Sequence, residues 1–517
     1  MWKPTRATAI VVPATLLALL ASSCAFLPGL GYGQWFPETV AVGVQASKPG
    51  VPINESLLGA DGPGSAGSVG PLRPLGLAFE RADVGLEESY NGQPVYNCST
   101  GAWNPINTDT RVNEIRAEGA TPLLIIDYTP PCLASNVPSG GNPNYAPPDA
   151  TPSTQAKWDA LVKQMATHEI LDEGVRIFEV WNEPDGLFWS GGLNGYLHLY
   201  QDTATVLEQV AQQYGVALEV GGPALADVDK AWLQPFFKYV QANDLPLDFV
   251  SWHWYANDPD VGPGGFLPNG LCLVTNPSPA GVPCYYNPDL HARTYGNQVT
   301  EVKNLLAGYP GLHPLTWIDE WNVNAEYDVR MTQSYGAAFA AAVLDSMQSS
   351  GLDRSCFYNA WNLGNGSAPA VFGLLQGPDN TPQPVYYAFE YYHDLAGASL
   401  PVTLSPDQSG METNGRVGAI ASSTLAGGIH VLIYNFMPYS LPGNYGTTNP
   451  NPYYRTVSLN LTGLAHGTSY TWNRSLTDNA HTNAVVASGN TQGNSATITF
   501  QLPAEGVTLL SLTPTAS

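Results

Sequence analysis

Short apolar runs with strand character recur along the first seven tenths of the chain, at Ser56 to Asp61, Leu75 to Glu80, Leu123 to Tyr128, Val175 to Val180, Ala217 to Gly222, Phe249 to Tyr255, Thr316 to Glu320 and Cys356 to Trp361. Several of the intervals between them carry helical spacing. Tyr196, Tyr200, Leu207, Val210 and Tyr214 fall on one helix face, and apolar residues in Trp158 to Met165 and in Ala337 to Met347 do the same. Eight strands alternating with helices predict an α/β fold, a (β/α)8 TIM barrel over residues 51–398. The first crossover, Gly62 to Leu72, is rich in Gly and carries no helical signal. After Leu400 the period changes from 3.6 to 2. Alternating segments at Gly428 to Asn435, Tyr454 to Leu461, Ser469 to Ser475, Ala496 to Leu502 and Gly506 to Leu512 are separated by Gly, Asn and Pro, which predicts an accessory all-β sandwich over 399–517. A lone strand pattern within residues 37–50, centred on Val40 to Ala46, has no partner in a barrel. It is expected to join the sandwich, which would then be built from both ends of the chain.

Charge narrows the partners. Only 12% of residues are charged and the net charge is −24, so the basic surface that nucleic acid or an anionic membrane requires is missing. Aromatic residues reach 11%, which suits contact with neutral ligands. Lys3 and Arg6 precede an apolar run from Ala9 to Ala21 that is too short to span a bilayer, and Ala21-Ser22-Ser23 leads into Cys24. Residues 1–24 therefore read as an export signal, which predicts an extracellular, cell-surface or periplasmic protein. Two processing routes stay open: lipidation of Cys24, which would give membrane attachment, or ordinary cleavage near Ala25. Four cysteines are expected to pair as Cys98 with Cys132 and Cys272 with Cys284, the second pair bracketing an insertion from Pro259 to Tyr286. Cys356 opens an apolar run and is expected to be a buried free thiol. No metal-ligand spacing of the Cys-x-x-Cys or His-Glu-x-x-His kind occurs, and no cofactor is implied.

Two strand runs end in chemistry. The fourth passes into Trp181-Asn182-Glu183-Pro184, where the proline cannot continue a central strand, and the seventh finishes in Asp319-Glu320-Trp321-Asn322. In a parallel barrel the C-terminal strand ends form the catalytic face. Hydrolysis of a glycosidic bond needs two carboxyl groups flanking the anomeric carbon, one to protonate the leaving oxygen and one to attack or to activate water. Glu183 and Glu320 answer that requirement.

The run Phe178-Glu179-Val180-Trp181-Asn182-Glu183-Pro184, together with Asp319-Glu320-Trp321-Asn322, resembles the motifs of retaining glycoside hydrolases of clan A. The resemblance is strongest to glycoside hydrolase family 39, the β-xylosidase and α-L-iduronidase family. Phe372-Gly373-Leu374-Leu375, followed by Pro382-Gln383-Pro384-Val385-Tyr386-Tyr387-Ala388-Phe389, is similar to the segment after that family's eighth strand. The resemblance implies a glycosidase with Glu183 as acid/base, Glu320 as nucleophile and retention of anomeric configuration. By the same carry-over Asn182 would contact the sugar 2-hydroxyl, His253 and Tyr255 would hold Glu320, and Arg81 would fix the nucleophile's charge. Trp361, at the expected end of the eighth strand, would offer a stacking platform. Two positions depart from the family pattern: Asp319 stands where Thr is usual, and Asp83 where a His is usual. The expected partner is a carbohydrate, with exo-β-xylosidase-like action. An endo-acting glycanase, a glycosidase for another pentose or uronic acid linkage, and a glycan-binding barrel without turnover are the alternatives; oligomeric state is left open.

Overall fold

The computed structural model describes residues 39–62, 69–135, 137, 139–148, 151–256, 291–323, 329–362, 373–408, 416–438 and 454–515. The export signal with Cys24, the insertion with Cys272 and Cys284, and Phe372 lie outside the described residues. Among the described residues no helix is long and apolar enough to cross a membrane.

Eight parallel strands close into a barrel: β2 (Gly59–Asp61), β3 (Phe79–Asp83), β4 (Thr121–Ile126), β5 (Ile177–Val180), β6 (Glu219–Leu225), β7 (Phe249–Tyr255), β8 (Leu315–Asn322) and β9 (Arg354–Tyr358). Each of the eight sequence runs contributes one strand, with shifted edges. Leu75, expected in the second strand, lies instead in a 3-10 turn over Arg73–Leu75, because Pro74 sits at its start. The eighth strand stops at Tyr358, so Trp361 is not at its end; it pairs with Leu375 in a separate small sheet. The first crossover does hold a short helix, Val69–Leu72, which the glycine content concealed. The longer surrounding helices are α1 (Ile106–Glu118), α2 (Pro152–Leu171), α3 (Gly192–Tyr214), α4 (Lys230–Ala242), α5 (Arg293–Leu306), α6 (Ser334–Ser350) and α7 (Pro384–His393).

The period of two along each strand sorts the barrel interior into layers. At the bottom, Leu123, Ile177, Phe249, Trp317 and Cys356 form one buried apolar cluster, with Phe79 packed against it. The rings of Phe79 and Phe249 lie 5.0 and 5.1 Å from that of Trp317. The Arg354 guanidinium caps this plug over Trp317 and Phe79 and pairs with Glu219. Gly221 faces Phe249 so closely that a Cβ would stand 2.5 Å from its ring. Two residues further along the strands, Phe79, Ile177, Phe249 and Trp317 give way to Arg81, Glu179, Ser251 and Asp319. Those four positions are all polar and almost wholly buried.

A sandwich of two sheets stands beside the barrel. β1 (Thr39–Gln45) lies in its four-stranded sheet, antiparallel to β10 (Val402–Ser405) and parallel to Arg455–Thr462. The six-stranded sheet includes β11 (Arg416–Ser423), β12 (Ile429–Phe436) and Val507–Thr515. Helix α6 is wedged between this sheet and the barrel, which explains its composition: Ala337, Phe339, Ala340, Ala341 and Val343 are all fully buried, as expected of a helix covered on every side. Phe436 reaches across from β12, its ring 5.5 Å from Tyr335 and 5.9 Å from Phe339. Tyr434 on the same strand donates to Asp345 Oδ2 at 2.7 Å. Cys98 and Cys132 form a disulfide, and Cys356 is a buried free thiol.

Because Phe436 belongs to the same continuous core as the barrel helices, the junction should be as costly to hollow out as a domain interior. Phe436→Ala is expected to destabilise the whole chain by about 3–5 kcal/mol. The check is a chemical denaturation curve followed by both far-UV CD and Trp fluorescence, in which a single shifted transition is expected from both probes.

Candidate active site

The two motif carboxylates meet at the C-terminal rim of the barrel. β5 ends at Val180, and the chain then takes left-handed backbone angles at Trp181 (φ 73°) and Glu183 (φ 44°). Such angles are uncommon for residues other than Gly, Asn and Asp and cost about 1–3 kcal/mol each. The surroundings impose them. Trp181 Nε1 donates to the Phe188 carbonyl at 3.0 Å, the Glu183 amide donates to the Ala224 carbonyl at 2.9 Å, and the Ala226 amide donates to Asp185 Oδ1 at 3.0 Å. The turn aims Glu183 over the barrel. Glu320 arrives from β8 beside a register shift against β7: Ile318 pairs with Trp252, while Glu320 pairs with the next residue, His253. The extra residue in β8 lets Asp319 and Glu320 both reach the interior, where strict alternation would admit only one of them.

One cation organises what lies below. Arg81 on β3, 1% exposed, donates Nε to Glu179 Oε2 at 2.8 Å, NH1 to Glu320 Oε1 at 2.6 Å and to Asp61 Oδ2 at 2.9 Å, and NH2 to Asn182 Oδ1 at 2.8 Å. Tyr255 donates to the other nucleophile-candidate oxygen, Glu320 Oε2, at 2.5 Å. His253 sits differently from expectation. Its Nδ1 lies 2.8 Å from Glu183 Oε1 and 3.6 Å from Glu320 Oε2, so its hydrogen bond goes to Glu183. Asn182 donates Nδ2 to the Tyr128 hydroxyl at 3.0 Å. Trp361 is half-buried and donates Nε1 to the Gly377 carbonyl at 3.1 Å, on the small sheet beyond the barrel rim.

The site divides its protons unevenly. Burial alone would push the Glu320 carboxyl up, but the charges of His253 and Arg81 and the hydrogen bonds from Tyr255 and Arg81 outweigh it and hold the group below the ordinary carboxylate range. Glu179 is likewise lowered: burial opposes ionisation, and Arg81, Asp319 and Ser251 overcome it. Asp61 and Asp319 go the other way, both pushed well up by burial first and then by a neighbouring carboxylate, Glu320 for Asp61 and Glu179 for Asp319. His253 is raised, because the charges of Glu320 and Glu183 and the hydrogen bond to Glu183 exceed the cost of burying its imidazolium. One oxygen of Glu183, one of Glu320 and a ring nitrogen of His253 all lie within 4.8 Å of one another.

Sequence reading missed the supporting carboxylates Asp61, Glu179 and Asp319 and the hydroxyls of Tyr128 and Ser251. A signal was present for two of them. Glu179 and Asp319 each interrupt an otherwise apolar strand at an inward-facing position, and a charge in that setting requires a buried partner.

The chain is thus a closed parallel barrel with two carboxylates at the ends of its fourth and seventh strands. The family model of glycosyl hydrolases family 39 matches residues 81–267. A β-xylosidase of Caldicellulosiruptor saccharolyticus is 32% identical over 315 residues, which cover 57% of this chain and 57% of that protein. The chain thus spans a little under three fifths of the length of that curated relative. Two solved structures share the fold across nearly the whole chain. The family 39 enzyme of Xanthomonas axonopodis pv. citri has a TM-score of 0.69 at 18% identity, covering 94% of this chain and all of its own. A monomeric β-xylosidase of Caulobacter crescentus CB15 has a TM-score of 0.68 at 18% identity, covering 92% and 100%.

The proton inventory has a consequence for stability. Asp185, which anchors the Glu183 turn, is pushed up to about 7 by burial, against the help of the Ala226 amide. A raised carboxyl stays protonated in the fold while the unfolded chain ionises near 4, so folding binds the extra proton and stability falls as pH rises from about 4 to about 7. The raised His253 has the same sign: its contribution is complete below its unfolded value near 6.5 and is lost as pH climbs through its higher folded value. The melting temperature should therefore decline from pH 5 to pH 8. Asp185→Asn should flatten that decline on its acid side, measured by differential scanning fluorimetry across the range.

Proposed function

We propose that the chain is an exported retaining glycosidase of β-xylosidase-like action, with Glu320 as nucleophile and Glu183 as acid/base. The observation that carries the reading is the spacing: carboxylate oxygens of the two residues lie within 4.8 Å. Retaining chemistry works with carboxyl groups about 5–5.5 Å apart, whereas inversion needs roughly 6.5–9.5 Å to admit a water. The similarity to β-xylosidases supports the choice of a neutral pentoside as substrate. The leader pattern of Lys3, Arg6 and the apolar run to Ala21 supports export, and the Cys98–Cys132 disulfide suits an oxidising compartment.

The electrostatics fit the two steps. Glu320 is held as the anion, and both its oxygens are oriented, one by Arg81 and one by Tyr255. It attacks the anomeric carbon while Glu183 gives its proton to the departing oxygen, and a glycosyl ester forms on Glu320. Esterification removes the charge that Arg81 and His253 had balanced. Glu183, having given its proton to the departing oxygen, is the base that then deprotonates the water that cleaves the ester. Arg81 also ties Asn182, expected at the sugar 2-hydroxyl, to Glu320 through one guanidinium, so the sugar contact and the nucleophile are positioned together.

Aryl β-xylosides test the reading. Glu320→Gln should lower kcat by about ten-thousandfold or more, the size of effect seen when an enzyme loses its nucleophile. Azide should rescue Glu320→Gly with formation of the glycosyl azide of inverted configuration, and rescue Glu183→Ala with the retained one. Proton NMR of the first-formed wild-type product should show retention; inversion would refute the assignment of Glu320.

A further inference from the structure

We infer that Asp319 is a positioning residue for the acid/base: its carboxyl, wedged between the Arg81–Glu179 pair and the inner edge of His253, orients the imidazole whose outer nitrogen holds Glu183. The inference rests on the proposed roles of Glu183 and Glu320 and extends them to a position where the chain departs from the Thr usual in the family it resembles.

The geometry is a relay across the barrel axis. Glu183 Oε1 meets His253 Nδ1 at 2.8 Å, and His253 Nε2, on the opposite side of the ring, faces Asp319 Oδ1 at 3.6 Å. That nitrogen is buried and makes no hydrogen bond among the described residues, and the hydrogen-bonding contact of Asp319 there is with the Glu179 carboxylate. Arg81 Nε stands 3.6 Å from Asp319 Oδ2. The groups facing Asp319 are therefore Arg81 from β3, Glu179 from β5, His253 from β7, its own neighbour Glu320, and the Cys356 thiol from β9. A Thr side chain at 319 is shorter and places no carboxyl toward the ring.

Charge accounting says in which form Asp319 acts. The buried cations are Arg81 and His253, and the anions are Glu179 and Glu320, both favoured in the ionised form. The cluster is already neutral. A third carboxylate in the same dry layer would be uncompensated, and burial together with Glu179 keeps Asp319 protonated. As a neutral acid Asp319 has an oxygen free to accept from His253 Nε2–H and a proton to turn toward Glu179. His253 can then remain an imidazolium with an acceptor at each nitrogen, and its Nδ1–H holds one oxygen of Glu183 so that the other presents the proton.

Two substitutions separate this role from simple packing. Asn is nearly isosteric with the neutral acid and keeps both an acceptor and a donor, whereas Ala removes both. Asp319→Ala should lower kcat/KM for alkyl or unactivated aryl β-xylosides, which need a proton from Glu183, by about 10- to 100-fold. It should leave kcat/KM for the 2,4-dinitrophenyl glycoside, which needs none, within about threefold, because general-acid assistance is the only part affected. Asp319→Asn should restore the unactivated substrates to within about threefold of wild type by the same reasoning. In 15N-histidine NMR spectra the His253 ring should titrate at lower pH in Asp319→Ala than in wild type or Asp319→Asn. Equal loss on both substrate classes would overturn the inference, as would an Asn variant as impaired as Ala or a His253 titration unmoved by Ala. If the wild type turned over no glycoside, the functional reading would fail, while the NMR titration would still decide whether Asp319 governs His253.

Discussion

Everything at the top of the barrel depends on one buried guanidinium. Arg81 is reached by carboxylates from three other strands, Asp61 from β2, Glu179 from β5 and Glu320 from β8, and by the amide of Asn182 just beyond β5. Without it Glu179 and Glu320 would be anions in a dry interior, a situation that costs several kcal/mol per charge. Its planar fork also fixes distances, since donors set at known angles bind four acceptors from three directions. Lys offers a single point charge and could not hold the same set. The orientation of the nucleophile, the sugar-contacting amide and the proton pattern of the site thus all follow from this one residue.

The layered interior explains how such a polar centre is tolerated. The plug of Phe79, Phe249 and Trp317 closes the bottom of the barrel and excludes water from below, so the Arg81 layer above it is open only towards the rim. That one-sided exposure lowers the local dielectric and strengthens the pairings. It also separates the titrations of neighbouring acids, which is why Asp319 and Glu320, adjacent in sequence, shift in opposite directions.

Much of this was legible in the sequence, for identifiable reasons. The eight strands announced themselves because barrel strands are buried on both faces and read as continuous apolar runs. Glu183 and Glu320 were visible because Trp, Asn and Pro crowd the ends of those runs. His253 and Tyr255 were legible as a pair through the period of two, but the partner of His253 was not. That choice depends on the β7–β8 register shift, which leaves no mark in composition. Trp361 was misplaced because Ala360 and Trp361 extend the apolar pattern of β9 past Tyr358, where strand pairing stops. Asp61 was hidden for the opposite reason: it stands at the edge of a glycine-rich segment, where a carboxylate ordinarily signals a turn.

The left-handed angles at Trp181 and Glu183 carry an evolutionary implication. Glycine or asparagine would occupy either position with less strain, so the residues present are ones that foldability alone would not select. Local frustration of this kind persists only while something other than stability is being selected. In a lineage that kept the barrel but ceased to use it, positions 181 and 183 should be among the first to drift, and towards Gly or Asn. The identity of these two residues in relatives therefore serves as a record of whether the scaffold is still employed.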